Sequence, residues 1–167
     1  MKKMIKASLL CAILLLVISS TGCTNDDGPV VYESAPDFSL IDTDGEKFSL
    51  GKYLGEVIIL DLMATWCGPC VEEMDHLKRI HNDYKAEGVR IISIDVDNGE
   101  DRKKLNDFKL KHECDWQFAH NGGSVGNTYG ADSIPMIYII DREGSIAFKQ
   151  IGLTDYSVIK KEVEKLL

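Results

Sequence analysis

Cys67 and Cys70 are separated by Gly68 and Pro69 and preceded by Trp66. Two thiols at that spacing can make and break one disulfide, so the first chemistry this chain offers is two-electron dithiol–disulfide exchange. The apolar run Val57–Met63 ends just before the pair, and a helical pattern begins at Val71. Such a junction places Cys67 at a helix N-terminus, where unpaired backbone N–H groups carry partial positive charge. A cysteine there loses its proton more easily, and the thiolate is the nucleophile. Cys67 therefore reads as the attacking sulfur. Cys70, one turn further in, reads as the thiol that resolves a mixed disulfide. Pro69 suits a first helical turn, which does not use its own N–H groups.

Two acids are candidates for moving the protons of this exchange. Asp61 lies in the apolar run six residues before Cys67. Burial among apolar neighbours raises a carboxylate's pKa, so Asp61 could trade a proton with Cys70 directly or through water. Glu73 follows Cys70 by three residues and shares its helix face. Each acid also has a plain reading, Glu73 as a solvated helix acid and Asp61 as the cap of a strand. Ile134-Pro135, ahead of another apolar run, fits either a cis turn or a trans proline opening an edge strand. His76, His81, His112 and His120 have no ligand spacing and read as surface residues. Gly122–Gly126 lacks the lysine and the preceding strand of a phosphate loop and reads as a plain loop.

The elements that position these residues follow from apolar periodicity. Phe38-Ser39-Leu40 and Phe48-Ser49-Leu50 alternate around Asp44-Gly45 and predict a hairpin. Val57–Met63 is a continuous apolar run, as in a strand buried on both faces. Val71, Met74, Leu77, Ile80 and Tyr84 recur at helical steps, predicting a helix over Val71–Glu87 stopped at Gly88. Val89–Val96 reads as the next strand, Asp101–His112 as a charged helix, and Ser124–Tyr129 as a short helix. Met136–Ile140 and Ser145–Ile151 read as strands joined across Arg142-Glu143-Gly144, and Asp155–Leu167 as a closing helix. Strands alternating with helices imply an α/β fold with a partly parallel sheet covered on both faces. Active groups would sit at the carboxyl end of the first central strand, where the cysteines fall.

Residues 1–22 begin basic, continue apolar over Ala7–Ile18 and end small, as an export signal does. The apolar stretch is shorter than the roughly 20 residues that span a bilayer. The arrangement resembles a lipoprotein signal, with Ser20-Thr21-Gly22-Cys23 as cleavage box and Cys23 as the lipidated residue; Ser20 stands where that pattern usually has leucine. The other reading is an uncleaved signal anchor. Both place the domain outside the cytoplasm and tethered to a membrane. Residues 23–34 are polar and read as a flexible tether, leaving 35–167 as one domain. Of five cysteines, Cys11 and Cys23 belong to this leader and its processing site, and Cys67 with Cys70 to the exchange pair. Cys114 is left over and reads as a buried, inert thiol. The net charge is −8, and loss of Lys2, Lys3 and Lys6 with the leader takes it to −11. An acidic domain of this kind argues against nucleic acid as a partner.

Ala35-Pro36-Asp37-Phe38, Asp44-Gly45, Ala64-Thr65-Trp66-Cys67-Gly68-Pro69-Cys70, Glu73 and Ile134-Pro135 together resemble the thioredoxin superfamily, and within it the TlpA/ResA-like membrane-anchored thiol-disulfide oxidoreductases. The resemblance implies a thioredoxin-like fold: a central mixed β-sheet flanked by helices, with an N-terminal β-hairpin and a helical insertion over Asp101–Asn121. It implies a cis peptide before Pro135, beside the cysteines, and a docking groove formed by Trp66, Gly68, Pro69, Ile134 and Pro135 for an extended substrate segment. Thioredoxin has its acid at the Asp61 position and ResA-like proteins at the Glu73 position, and this chain has both. Asp75 stands where many members have a helix-kinking proline. The resemblance further implies a monomer with no cofactor besides the Cys67–Cys70 disulfide and no metal. Its partners would be a disulfide-containing protein, with apocytochrome c the leading substrate, and a membrane electron donor. The Gly-Pro dipeptide matches the strongly reducing thioredoxin, near about −270 mV, and not a dedicated oxidant near about −120 mV.

Two other functions share the fold. A peroxidase of the peroxiredoxin type needs a threonine three residues before its reactive cysteine and a proline four before that. Those positions hold Ala64 and Leu60. A copper-handling protein of this fold prefers a wider cysteine spacing and a distant histidine, and stands as the alternative.

Overall fold

All seven residues of the run Val57–Met63 are buried, in one extended strand. The computed structural model describes residues 33–99 and 101–167. The predicted leader 1–22, Cys23 and most of the predicted tether lie outside the described residues. In chain order the elements are β1 (Ser39–Ile41), β2 (Lys47–Ser49), β3 (Val57–Met63), α1 (Gly68–Tyr84), β4 (Val89–Asp95), α2 (Arg102–Lys111), β5 (Gln117–Ala119), α3 (Gly123–Tyr129), β6 (Met136–Ile140), β7 (Ile146–Ile151) and α4 (Tyr156–Glu164). The main sheet has the order β5-β4-β3-β6-β7. β4 is parallel to β3 and β5 to β4, whereas β6 and β7 are antiparallel additions. β1 and β2 form the separate hairpin. This is a thioredoxin-like fold.

Alternation along the strands divides the core in two. Val57, Ile59 and Met63 of β3, Val89 and Ile91 of β4, and Ile137 and Ile139 of β6 face the side covered by α1, α2 and α4. Ile58, Leu60, Leu62, Ile92, Ile94, Met136 and Tyr138 face α3 and the hairpin. Asp61 and Ser93 follow the first set in register and pair directly across β3 and β4. A polar pair therefore points into the layer that contains Cys67, Cys70, Met74 and Leu77.

Several boundaries differ from expectation for local reasons. α1 starts at Gly68, because Cys67 is its N-cap and Pro69 occupies its first turn. It ends at Tyr84, and a 3-10 turn over Lys85–Glu87 leads to Gly88 at φ 86°. Asp75 lies within an unbroken helix. α2 is capped by Asp101, whose carboxylate accepts from the N–H of Lys104 at 2.7 Å. The predicted insertion contains an edge strand, β5, that periodicity did not anticipate, since three residues are too few to show alternation.

Candidate active site

β3 delivers the chain to the sheet's carboxyl end, and the segment Ala64–Trp66 turns it into α1. Cys67 and Cys70 form a disulfide with Cα atoms 5.2 Å apart. Cys70 is fully buried and Cys67 nearly so, while Trp66, Gly68 and Pro69 are exposed around them. The N–H of Cys70 donates to Cys67 Sγ at 3.2 Å. On reduction the same N–H and the positive end of α1 face the Cys67 sulfur, which favours its thiolate over that of Cys70.

Trp66 is 64% exposed, but its indole is not loose. Its Nε1 donates to Asp97 Oδ2 at 2.9 Å, and Asp97 Oδ1 accepts from the N–H of Gly99 at 2.8 Å. The Gly99 N–H and then the indole hold the Asp97 carboxyl below its usual range. The Ile134–Pro135 peptide is cis. Ile134 packs against the cluster that contains Cys67 and Cys70, and the Pro135 carbonyl accepts from Gly152 N–H at 2.8 Å. An exposed aromatic, the exposed Gly-Pro dipeptide and a half-buried Ile134 thus surround the reactive sulfurs.

Both candidate acids are fully buried. Asp61 Oδ2 accepts from Ser93 Oγ at 2.7 Å, and Oδ1 has no partner among the described residues. Burial pushes Asp61 up to about 7, against the opposing pull of the Ser93 hydroxyl. Glu73 Oε1 accepts from Thr154 N–H at 2.8 Å, and Oε2 has no partner among the described residues. Burial first, then the charge of Asp61, push Glu73 up to about 8, opposed by Thr154. Glu73 is thus not the solvated helix acid that its charged neighbours Glu72 and Asp75 suggest. Two carboxyls in one core layer, each raised toward neutrality, can hold protons at the pH where thiols exchange them.

Cys114 is buried, 4.0 Å from Met74 Sδ, and burial pushes its thiol up to about 12. The four histidines are half-buried, which corrects their reading as surface residues. His76 Nδ1 donates to the Thr154 carbonyl at 2.8 Å, and His81 Nε2 pairs with Asp115. Among the described residues no group of three or more His, Cys, Asp or Glu side chains is placed to hold a metal ion. Sequence reasoning missed Ser93, Asp97, Trp116 and Thr154. Only Asp97 had a signal, an acid just past the end of a predicted central strand.

A strand, a Cys-x-x-Cys at the head of a helix and a cis-proline in this topology define a dithiol protein of the thioredoxin fold. A family model described as the AhpC/TSA family matches residues 31–149. The chain belongs to that family and, within it, to the TlpA/ResA-like thiol-disulfide oxidoreductases. Thiol-disulfide oxidoreductase ResA of Bacillus thuringiensis strain Al Hakam is 31% identical over 73% of this chain and 70% of its own length. ResA of Geobacillus kaustophilus is 29% identical over 100% of this chain and 97% of its own. A crystal structure from Chlorobium tepidum, assigned as thiol:disulfide interchange protein DsbE, superposes with TM-score 0.74 at 25% identity, covering 81% of this chain and 96% of that one. The protein is an enzyme of thiol–disulfide exchange.

Proposed function

We propose that the protein is a reductase of disulfides in proteins outside the cytoplasm, held at a membrane through a lipid on Cys23. The observation that carries this reading is the Cys67–Cys70 disulfide at the head of α1, with two buried carboxyls, Asp61 and Glu73, in the layer behind it. The Cys67 thiolate attacks one sulfur of a substrate disulfide. A Cys67–substrate disulfide forms, and the other substrate sulfur leaves as a thiolate and takes a proton from water. Cys70 then gives its proton to Asp61 or Glu73 in its ionised form and attacks Cys67 Sγ. The mixed disulfide breaks, the second substrate thiol is released, and Cys67–Cys70 is oxidised by two electrons. A dithiol donor in the membrane returns those electrons. Trp66, Gly68, Pro69, Ile134 and Pro135 line the groove that receives the substrate chain. Apocytochrome c, whose paired cysteines must be reduced before haem attachment, is the substrate that the family resemblance favours.

The reduction potential of Cys67–Cys70, measured by equilibration in thiol/disulfide buffers, tests the direction. A value near about −270 mV supports a reductase; a value near about −120 mV would make the protein an oxidant and overturn the reading. Cys67→Ser should abolish disulfide reduction, and Cys70→Ser should accumulate a mixed disulfide with the substrate, visible as a reducible adduct in membranes.

A further inference from the structure

Asp61 is joined to the surface insertion by a chain of two buried hydrogen bonds. Trp116, just ahead of β5, donates from Nε1 to Ser93 Oγ at 3.0 Å, and Ser93 Oγ donates to Asp61 Oδ2 at 2.7 Å. Directions along this chain are forced. An indole N–H can only donate, so it occupies an acceptor site of the Ser93 hydroxyl. The single hydroxyl proton is then left for Asp61. If the Asp61 proton sat on Oδ2 and pointed at Ser93, the hydroxyl would receive two donors, and its own proton would be stranded in a core where Ser93 is fully buried. The indole is itself fixed, stacked at 5.7 Å on Phe118 and tilted at 5.5 Å against His81, which pairs with Asp115.

We infer that Ser93 and Trp116 are positioning residues that keep the Asp61 proton on Oδ1, the oxygen without a partner, and so present Asp61 as an acceptor with one working face. This rests on the reading of Asp61 as a proton acceptor for Cys70. The insertion is then part of the active site's proton machinery, although it carries none of the reacting groups. The titratable groups within reach of the Asp61 charge are Glu73 from α1 and the thiol of Cys114 after α2, both of which it pushes up, with Cys67 and Cys70 becoming titratable on reduction. Directly opposite on β6 is Ile137, and α4 contributes the apolar Ile159 and Val163.

The test is a pH titration of the Asp61 carboxyl carbon by NMR in the solubilised full-length protein, with the pH profile of Cys70 attack measured in parallel. Ser93→Ala removes a hydrogen bond to the carboxylate and should raise the proton affinity of Asp61 about tenfold. Trp116→Phe should raise it about threefold, because the hydroxyl remains but is no longer aimed. Ser93→Ala combined with Trp116→Phe should match Ser93→Ala alone, since Trp116 acts through Ser93. Ser93→Thr should restore the wild-type titration and guards against a folding artefact. Unchanged Asp61 titration in both single variants, or equal and additive shifts, would overturn the relay. A shifted Asp61 titration with an unshifted Cys70 profile would uphold the relay and overturn the proton-acceptor reading instead.

Discussion

Thr154 N–H donates to Glu73 Oε1 at 2.8 Å, and its carbonyl accepts from His76 Nδ1 at the same distance. Two side chains one turn apart on α1 therefore hold both backbone polar groups of a single residue. Gly152, two positions earlier, donates to the carbonyl of Pro135. The loop between β7 and α4 is thus fastened both to the helix of the cysteines and to the cis-proline. Glu73 has a structural duty as well as a titratable proton, and the two can be separated by substitution.

Glu73→Gln keeps an acceptor for Thr154 N–H and removes the titration. At pH 5, where Glu73 is protonated, this variant should unfold within about 1 kcal/mol of wild type. Glu73→Ala leaves the buried N–H of Thr154 unpaired and should cost about 1–3 kcal/mol. In the pH profile of disulfide reduction, Glu73→Gln should lose a step near pH 8. Denaturant unfolding and pH–rate measurements check both expectations. Equal destabilisation by Gln and Ala would show that the Thr154 contact does not hold the loop.

The two raised carboxyls also set a pH dependence of stability. Asp61 is pushed up to about 7 by burial, and Glu73 to about 8 by burial and the Asp61 charge. Both lie above the values of an unfolded chain, near about 4. Between those limits the folded state keeps protons that the unfolded state has released. Stability is therefore lost as pH rises from about 4, and the loss is complete once pH has passed 7 for Asp61 and 8 for Glu73, at ~2–4 kcal/mol per group as an order of magnitude. Asp61→Asn should be more stable than wild type at pH 9 and close to it at pH 5. Urea unfolding of the oxidised protein at pH 5, 7 and 9 checks this. A wild-type stability that climbs over that range would rule out raised values for this pair.

Much of this architecture was legible in the sequence, and the exceptions share one cause. Val57–Met63, Met136–Ile140 and the helix after Cys70 announce themselves through local apolar patterns, because each buries a face long enough to show a period. The cysteine pair was legible because its spacing is local, whereas the cis form of Ile134–Pro135 came from the family resemblance, since the two residues alone fit either isomer. Ser93, Trp116 and Thr154 act across separations of 32, 23 and 81 residues, to Asp61, Ser93 and Glu73 in turn. Their roles arise when β4 and β5 join the sheet and β7 leads into α4, and no local pattern encodes that. Glu73 stays open between its two readings for the same reason: nothing local to the helix shows that the Thr154 loop covers it.

Two glycines should respond differently to alanine. A Cβ on Gly122 would lie 2.1 Å from Ile94 Cγ2 and 2.9 Å from the Asp95 carbonyl oxygen. The carbonyl belongs to the end of β4 and accepts the Gly122 N–H at 2.8 Å, so the backbones cannot part without losing that bond. Gly122→Ala should cost about 1–3 kcal/mol. Gly68, in the first turn of α1, has nothing within 4 Å of the added atom. Gly68→Ala should leave stability within about 0.5 kcal/mol of wild type, and thermal unfolding of the two variants side by side reads the contrast.

Cys114 offers a control on the assignment of the reactive thiols. Burial pushes it up to about 12, so at pH 8 its thiolate is a minute fraction of the population. Its sulfur faces Met74 Sδ at 4.0 Å and the His112 carbonyl at 3.6 Å, both within the protein. After reduction of the native protein at pH 8, iodoacetamide should label Cys67 quickly and Cys114 only once the chain is unfolded, as read by peptide mapping. Cys114→Ser should keep the rate of disulfide reduction within about twofold of wild type. A serine hydroxyl there has only the distant His112 carbonyl to satisfy it, so the substitution should cost about 1–2 kcal/mol of stability. Labelling of Cys114 as fast as Cys67 in the folded protein would mean that the helix layer opens on reduction. The proton exchange assigned to Asp61 and Glu73 would then take place in water and not in a sealed core.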